Sequence, residues 1–338
     1  MRRLLCIVLL SFFAASAHAQ QSAAPLADIK PPQILEIAHR GASGYLPEHS
    51  RAALVMAHAL GANFIEFDVQ LSRDGVPVIL HDVMLDAVTN VAAVYPQRHR
   101  SDGHYYVVDF TVAELRALAL QPRRNAQQQL LYPNRFARTD VDFAITTLAQ
   151  QLALLQELNR VRERDVGAYI EVKSPRWYRD QRLDPTAALM TVLEQAGYSN
   201  QARPTPIFIE SFDPEPLRRI RTEFDCDLPL IQLIGENAWN EAPVDFSAMR
   251  TSAGLQALTG VVDGVGVWWP QVILGVDEQQ QPRYSQLVSM AHKAGLVVHA
   301  YTLREEGLPD FIGSYRQLRQ WLKNAGVDGL FTDYPGRR

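Results

Sequence analysis

Phe64-Ile65-Glu66-Phe67-Asp68-Val69-Gln70-Leu71-Ser72-Arg73-Asp74-Gly75-Val76-Pro77-Val78-Ile79-Leu80-His81 is the stretch on which the fold turns. Side chains along a strand alternate between two faces, so Ile65, Phe67, Val69 and Leu71 share one face and Glu66, Asp68 and Gln70 the other. An apolar outer face with an acidic inner face is the pattern of a barrel strand that carries chemistry. Burying two unpaired carboxylates is costly enough that a cation normally accompanies them. Ser72-Arg73-Asp74-Gly75 reads as a tight turn, and 76–81 as the returning strand of a hairpin. With Arg73 and Asp74 at the tip, His81 stands opposite Glu66; with Asp74 and Gly75 there, it stands opposite Asp68. Either register places His81 on the carboxylate face.

Outward from this hairpin, short apolar strands alternate with helices. Strands are expected at 34–39, 63–71, 168–173, 207–211, 228–233, 264–268, 297–302 and 329–332. Ser50 caps a helix that ends at Gly61, and Thr147 heads a long apolar-periodic stretch. Asp184-Pro185 opens a helix closed by Gly197, Asp213-Pro214 opens another, and Gly295 and Gly326 close two more. Eight strands interleaved with helices predict an α/β fold, a closed TIM (β/α)8 barrel in preference to an open sheet. The chain exceeds a minimal barrel of about 250 residues, so an insertion is expected. Residues 83–142 supply it: a polar, aromatic and basic segment with a capping box at Thr111 and Glu114, read as a small subdomain inserted after the second strand and overhanging the active-site face.

Composition narrows the class. The 338 residues are 47% apolar and 21% charged, with a formal net charge of −4, which excludes a disordered chain and a polytopic membrane protein. Arg2-Arg3, an apolar run from Leu4 to Ala15 and the small-x-small site Ala17-His18-Ala19 read as a secretory signal peptide cleaved after Ala19. The barrel domain is then 20–338. Cys6 lies in the leader, which leaves Cys226 alone and no internal disulfide. No basic run favours nucleic acid, and no later stretch is apolar enough for stable membrane insertion. An exported soluble protein with a small-molecule substrate is expected, and nothing in the sequence specifies an oligomeric state.

Two further strands add to the acidic face. Glu171 and Lys173 share a face of the third strand, while His39 ends the first and Arg40-Gly41 opens its loop. Active residues of such barrels come from strand C-termini, where all of these lie. The three carboxylates of Glu66, Asp68 and Glu171 suit a hard divalent metal such as Ca2+ or Mg2+, and the lack of thiolates argues against structural zinc. His39 and His81 are then free to act as general base and general acid. Arg40 and Lys173 supply fixed positive charge for an anionic group. Together these point to phosphodiester cleavage.

The motifs His39-Arg40-Gly41, Glu66-x-Asp68, His81-Asp82 and Glu171-x-Lys173 resemble those of the glycerophosphodiester phosphodiesterases. The likeness continues through Ser211-Phe212, 298–302 and 329–335. The stretches 37–49 and 102–106 are similar to the periplasmic bacterial branch, which keeps such an insertion and binds calcium. The resemblance implies a barrel that hydrolyses glycerophosphodiesters, such as glycerophosphocholine, to an alcohol and sn-glycerol 3-phosphate. It implies Glu66, Asp68 and Glu171 as metal ligands, His39 and His81 as the acid/base pair, and Arg40 and Lys173 on the phosphate. Attack by the substrate's own hydroxyl, through a cyclic phosphate, and attack by water both stay open.

Some positions depart from the family pattern. Glu210 stands where an uncharged residue is expected, and either adds a carboxylate or faces outward. Trp268-Trp269-Pro270 replaces a polar segment, and Trp268 and Tyr301 are read as walls of the substrate pocket, with Trp268 able to stack on a quaternary ammonium. His299 is read as structural. His49, His58, His99, His104 and His292 are read as surface or insertion residues. Two other readings are a phospholipase-like enzyme, which needs an exposed apolar rim for which Tyr105, Tyr106 and Tyr132 are the candidates, and a non-catalytic phosphoester-binding protein.

Overall fold

Eight parallel strands close on themselves in chain order in the computed structural model, which describes residues 34–337. They are β1 (Leu35–Ala38), β2 (Phe64–Leu71), β3 (Gly167–Val172), β4 (Ile207–Ser211), β5 (Leu230–Ile234), β6 (Gly264–Trp268), β7 (Val297–Leu303) and β8 (Gly329–Thr332). Each pairs in parallel with the next, and β1 closes the ring by pairing with both β8 and β2. The fold is the expected TIM barrel. The signal peptide expected at 1–19 lies outside the described residues.

Helix ends follow the sequence punctuation. Ser50 Oγ accepts from the Ala53 amide ahead of helix Arg51–Leu60, which Gly61 closes in the left-handed conformation. Thr147 and Gln150 form a capping box at the start of helix Leu148–Arg162, and Thr111 and Glu114 form another within the insertion.

Alternation along the strands builds the interior in layers. Phe64, Tyr169, Phe208 and Phe331 point inward and pack edge to face or stacked, with ring centroids 4.9–6.1 Å apart. Ile37 and Ile231 complete this apolar floor. Gly167 gives it room, because a Cβ there would lie 2.2 Å from the Phe64 ring. One step further along the same strands, on the same inner parity, come His39, Glu66, Glu171, Glu210 and Tyr301. The floor thus seals the barrel below, and the polar layer opens at its C-terminal mouth. The other parity, including Ile65, Phe67, Val69, Ile170 and Ile209, faces the helices in the main core.

The hairpin differs from both registers expected for it. Strand Pro77–Ile79 pairs antiparallel with β2, Leu71 opposite Pro77 and Val69 opposite Ile79, a register that lies between the two two-residue turns. The reason is a three-residue tip, Arg73-Asp74-Gly75, closed by the Ser72 amide donating to the Val76 carbonyl, with Gly75 at φ 73°. The Leu80 amide still donates to the Asp68 carbonyl, but the regular strand ends at Ile79. His81 therefore gains its place from the loop beyond the strand, held by the Gln70 amide donating to the His81 carbonyl at 2.5 Å.

Residues 83–142 carry short helices at Val91–Val94 and Val112–Leu115 and a 3-10 turn at Val107–Asp109. Isolated bridges such as Met84 with Tyr106 and Thr89 with Leu120 tie the segment together. Its interior, with Leu85, Val88, Tyr105, Phe110 and Leu118, is a cluster distinct from the barrel core.

Candidate active site

The mouth of the barrel holds a cavity of about 280 Å³, lined by His39, Arg40, Glu66, His81, Glu171, Lys173 and Glu210 on its polar side. Phe212, Leu233, Trp239, Trp268, Tyr301 and Phe331 form its apolar wall. Asp68 is buried beside it.

The acidic residues fall into two overlapping groups. Glu66, Glu171 and Glu210 bring one oxygen each within 4.8 Å of one another, and so do the ligand atoms of His49, Glu66 and Asp68. The expected trio of Glu66, Asp68 and Glu171 is thus not one mutually close set, and Glu66 is the member common to both groups. Asp68 is drawn aside because its Oδ2 lies 2.8 Å from His49 Nε2 and 3.3 Å from Arg40 Nε. Glu210 settles the choice that the sequence left open: it points inward, beside Glu171 in the β3–β4 register, and is 2% exposed.

The electrostatics of this cluster are those of a cation site. Burial, and then the charges of Asp68 and Glu210, push Glu66 well above the usual carboxylate range. Burial and the neighbouring Glu171 do the same to Glu210, and Glu171 is pushed up to about 8 by burial despite Lys173. Glu210 Oε2 is buried with no hydrogen-bond partner. An all-oxygen donor set with an orphaned lone pair fits a hard divalent cation, whose charge would reverse each of these shifts.

Each expected catalytic histidine has a carboxylate behind it. His39 Nδ1 lies 2.6 Å from Asp333 Oδ1, and His81 Nδ1 contacts Asp82 Oδ1. An ionised carboxylate only accepts, so each ring carries its proton on Nδ1 and keeps Nε2 as the unprotonated nitrogen, that of His81 lying 3.4 Å from Lys173 Nζ. Burial, then the Arg40 charge, lowers His39 to about 4. Burial, then Arg40 and Lys173, lowers His81 to about 3. Asp82 and Asp333 stay well below the ordinary range although burial opposes it, because the histidines and arginines beside them stabilise the anions. Both aspartates lie within stretches quoted above, Asp82 in His81-Asp82 and Asp333 in 329–335, but the sequence assigned them no role.

Arg40 occupies the left-handed region at φ 58° and is followed by Gly41 at φ 75°. A Cβ on Gly41 would lie 2.9 Å from the Ala53 backbone, so the loop can pass this close to the helix only as glycine. This turn aims the Arg40 amide at Glu66 Oε2, 2.6 Å away, and its guanidinium at Glu48, 3.0 Å away. Lys173 Nζ sits 3.0 Å from Glu171 Oε1 and 3.4 Å from His81 Nε2. Burial would lower its pKa, but Glu171 and Asp68 hold it above the usual lysine value. It is a fixed cation at the cavity wall.

Trp268 and Tyr301 both line the cavity. Trp268 packs against Trp239 with ring centroids 5.1 Å apart, and the Tyr301 hydroxyl donates to the Ile234 carbonyl. His299 is structural: it is 1% exposed, with Nδ1 2.9 Å from the Tyr169 hydroxyl. His49 and His58 need correction. His49 is 3% exposed and bonded to Asp68, while His58 is buried against Asn159 Oδ1 at 2.9 Å. Both seemed unpartnered because their partners lie 19 and 101 residues away. His99 and His104 are exposed in the insertion, and exposed His292 pairs with Asp328.

A TIM barrel with this mouth, acidic at its centre and flanked by oriented imidazoles and fixed cations, is built as a hydrolase of phosphoesters. Residues 39–337 match the Glycerophosphoryl diester phosphodiesterase family, and the chain belongs to that family. It is similar to a glycerophosphodiester phosphodiesterase of Haemophilus influenzae, 33% identical over 88% of this chain and 87% of that protein. One from Treponema pallidum is 30% identical over 88% of this chain and 89% of its own length. Among solved structures, a phosphodiesterase of Oleispira antarctica in complex with the product sn-glycerol-3-phosphate has the same fold, with TM-score 0.59 at 24% identity over 89% of this chain and 94% of that one. The chain is thus a glycerophosphodiester phosphodiesterase, an enzyme of the phosphoric diester hydrolase class.

Proposed function

We propose that the enzyme hydrolyses glycerophosphodiesters to an alcohol and sn-glycerol 3-phosphate in a reaction that depends on a divalent cation, with calcium the ion held by the converging carboxylates of Glu66, Glu171 and Glu210 and with Asp68 adding negative charge from beside them. The observation that carries this reading is the buried, self-repelling carboxylate cluster with two carboxylate-backed imidazoles on the same cavity. Calcium, which takes more oxygen ligands and in looser geometry than magnesium, suits a site this rich in carboxylates. A bound cation would supply Lewis-acid stabilisation of the charge that grows on phosphoryl oxygen.

The protein's own groups supply the rest. Arg40 and Lys173 draw the phosphodiester anion to the wall where His39 and His81 present Nε2. One imidazole takes the proton of the attacking hydroxyl, and the other returns a proton to the departing alkoxide. Attack by the substrate's glycerol hydroxyl and attack by water make the same demand on this pair. The bound anion offsets Arg40 and Lys173, raising the histidine pKa values toward the working range.

Glycerophosphocholine is the proposed representative substrate. The Trp239 and Trp268 rings on the cavity wall, with the Glu241 carboxylate also lining it, suit a quaternary ammonium head group. The phospholipase reading is weaker, because Tyr105 is buried in the insertion, Tyr106 stacks on Trp177 and Tyr132 lies under Arg135. The leader at 1–19 supports action in the periplasm, with the mature chain starting at Gln20. Incubation with glycerophosphocholine, with and without calcium, tests the activity: glycerol 3-phosphate released only with the ion supports it, and none released under either condition overturns it.

A further inference from the structure

Both acid/base dyads end on arginines of the same inserted segment. Arg123 Nη1 donates to Asp82 Oδ2 at 2.6 Å, while Asp82 Oδ1 meets His81 Nδ1. Arg135 Nη2 donates to Asp333 Oδ2 at 2.7 Å, while Asp333 Oδ1 meets His39 Nδ1. Neither guanidinium is loose. Arg123 also holds both oxygens of Glu48, at 2.8 and 2.7 Å, and Arg135 holds both oxygens of Glu306 at 2.8 Å and lies 3.8 Å over the Tyr132 ring. Both side chains are largely buried, at 15% and 10% exposure.

We infer that Arg123 and Arg135 are positioning residues of the reaction, and that the 83–142 insertion is the brace that holds both imidazoles in catalytic orientation, through Asp82 and Asp333. A carboxylate held at one oxygen only can swing about its terminal torsion and carry the imidazole with it. A planar guanidinium on the second oxygen removes that freedom. The same charge keeps each aspartate ionised and therefore purely an acceptor, which fixes the ring proton on Nδ1. The two dyads differ in redundancy. Asp333 also accepts from Arg304 Nε at 3.0 Å, whereas among the described residues Arg123 is the guanidinium on Asp82. The His81 side depends more heavily on the insertion.

The inference rests on His39 and His81 being the acid/base pair, and its test is a set of double-mutant cycles on the full chain read as kcat at saturating glycerophosphocholine. R123Q should lower kcat by about 10²-fold and R135Q by about 10-fold, as expected when acid/base catalysis loses its alignment. Because each arginine acts through its aspartate, D82N/R123Q should be no slower than D82N, and D333N/R135Q no slower than D333N. R123K, which keeps the charge without the fork, should fall between wild type and R123Q, and it carries the test if R123Q does not fold. R98Q breaks the insertion's internal bonds to Glu114 and Asp109 and should leave kcat near wild type. Three results overturn the brace: losses that multiply in the double variants, an R123Q effect confined to KM, or an R98Q loss as large as that of R123Q. Activity retained in H39A and H81A would instead overturn the acid/base assignment itself.

Discussion

His39 and Asp333 stand 294 residues apart in the chain and 2.6 Å apart in the fold, Nδ1 against Oδ1. β1 and β8 are neighbours in the closed ring, so the last strand delivers the carboxylate that orients the histidine ending the first. Barrel closure itself completes this half of the acid/base pair. Asp333→Asn is expected to lower kcat by about 10²-fold or more while the protein still folds, since an amide can present its N–H to Nδ1 and stabilise the wrong tautomer. Steady-state kinetics with a circular dichroism control measure this.

His39→Ala and His81→Ala are each expected to reduce turnover by about 10²-fold or more with little change in the midpoint of thermal unfolding. The two rings serve opposite proton transfers, so neither can replace the other. Near-normal turnover in one variant would remove that histidine from the pair.

Chelation should abolish activity, and calcium should restore it. Glu66→Gln and Glu171→Gln should remain inactive at any practical ion concentration. Glu210→Gln keeps its shape but gives up one buried charge, and should raise the calcium concentration for half-activation by about 10-fold. Activity surviving exhaustive dialysis against chelator would refute the cation site.

Acid should destabilise the fold in a window set by its buried histidines. Burial lowers His299 to about 4 from an ordinary 6.5, so it is neutral in the folded chain while the unfolded chain takes up a proton below 6.5. Its contribution is complete above 6.5 and is lost as pH falls toward 4, to about 3 kcal/mol. His39 and His81 act in the same direction. Urea titrations at pH 7 and pH 4.5 should show the loss, and His299→Gln should flatten the slope between them.

Tyr169→Phe removes the hydroxyl that meets His299 Nδ1 at the barrel floor and leaves a buried ring nitrogen unpaired. A cost of about 1–3 kcal/mol is expected from the denaturation midpoint. The cavity groups stand above that layer, so kcat should stay within a few fold of wild type.

Much of this protein was legible in its residues. Period-2 alternation placed Glu66 and Asp68 on an inner face, all eight barrel strands fell within two residues of their expected ends, and the capping box at Thr111 and the apolar-periodic stretch headed by Thr147 marked their helices. These are local rules, set by strand geometry and by unsatisfied backbone amides, so neighbouring residues suffice to read them. The hairpin register was not legible, because turns differing by one residue share the same Gly75 and the choice depends on the Ser72–Val76 closure. Nor was the inward turn of Glu210, the burial of His49 on Asp68, or the reach of Arg123 and Arg135 to the two dyads. A carboxylate or guanidinium finds its partner through whatever the closed ring and the folded insertion bring near, and no periodicity encodes that. Local sequence determined the barrel and the residue types at its mouth. Only tertiary structure decided which charges meet, because electrostatic pairing is set by distance in space and not by separation along the chain.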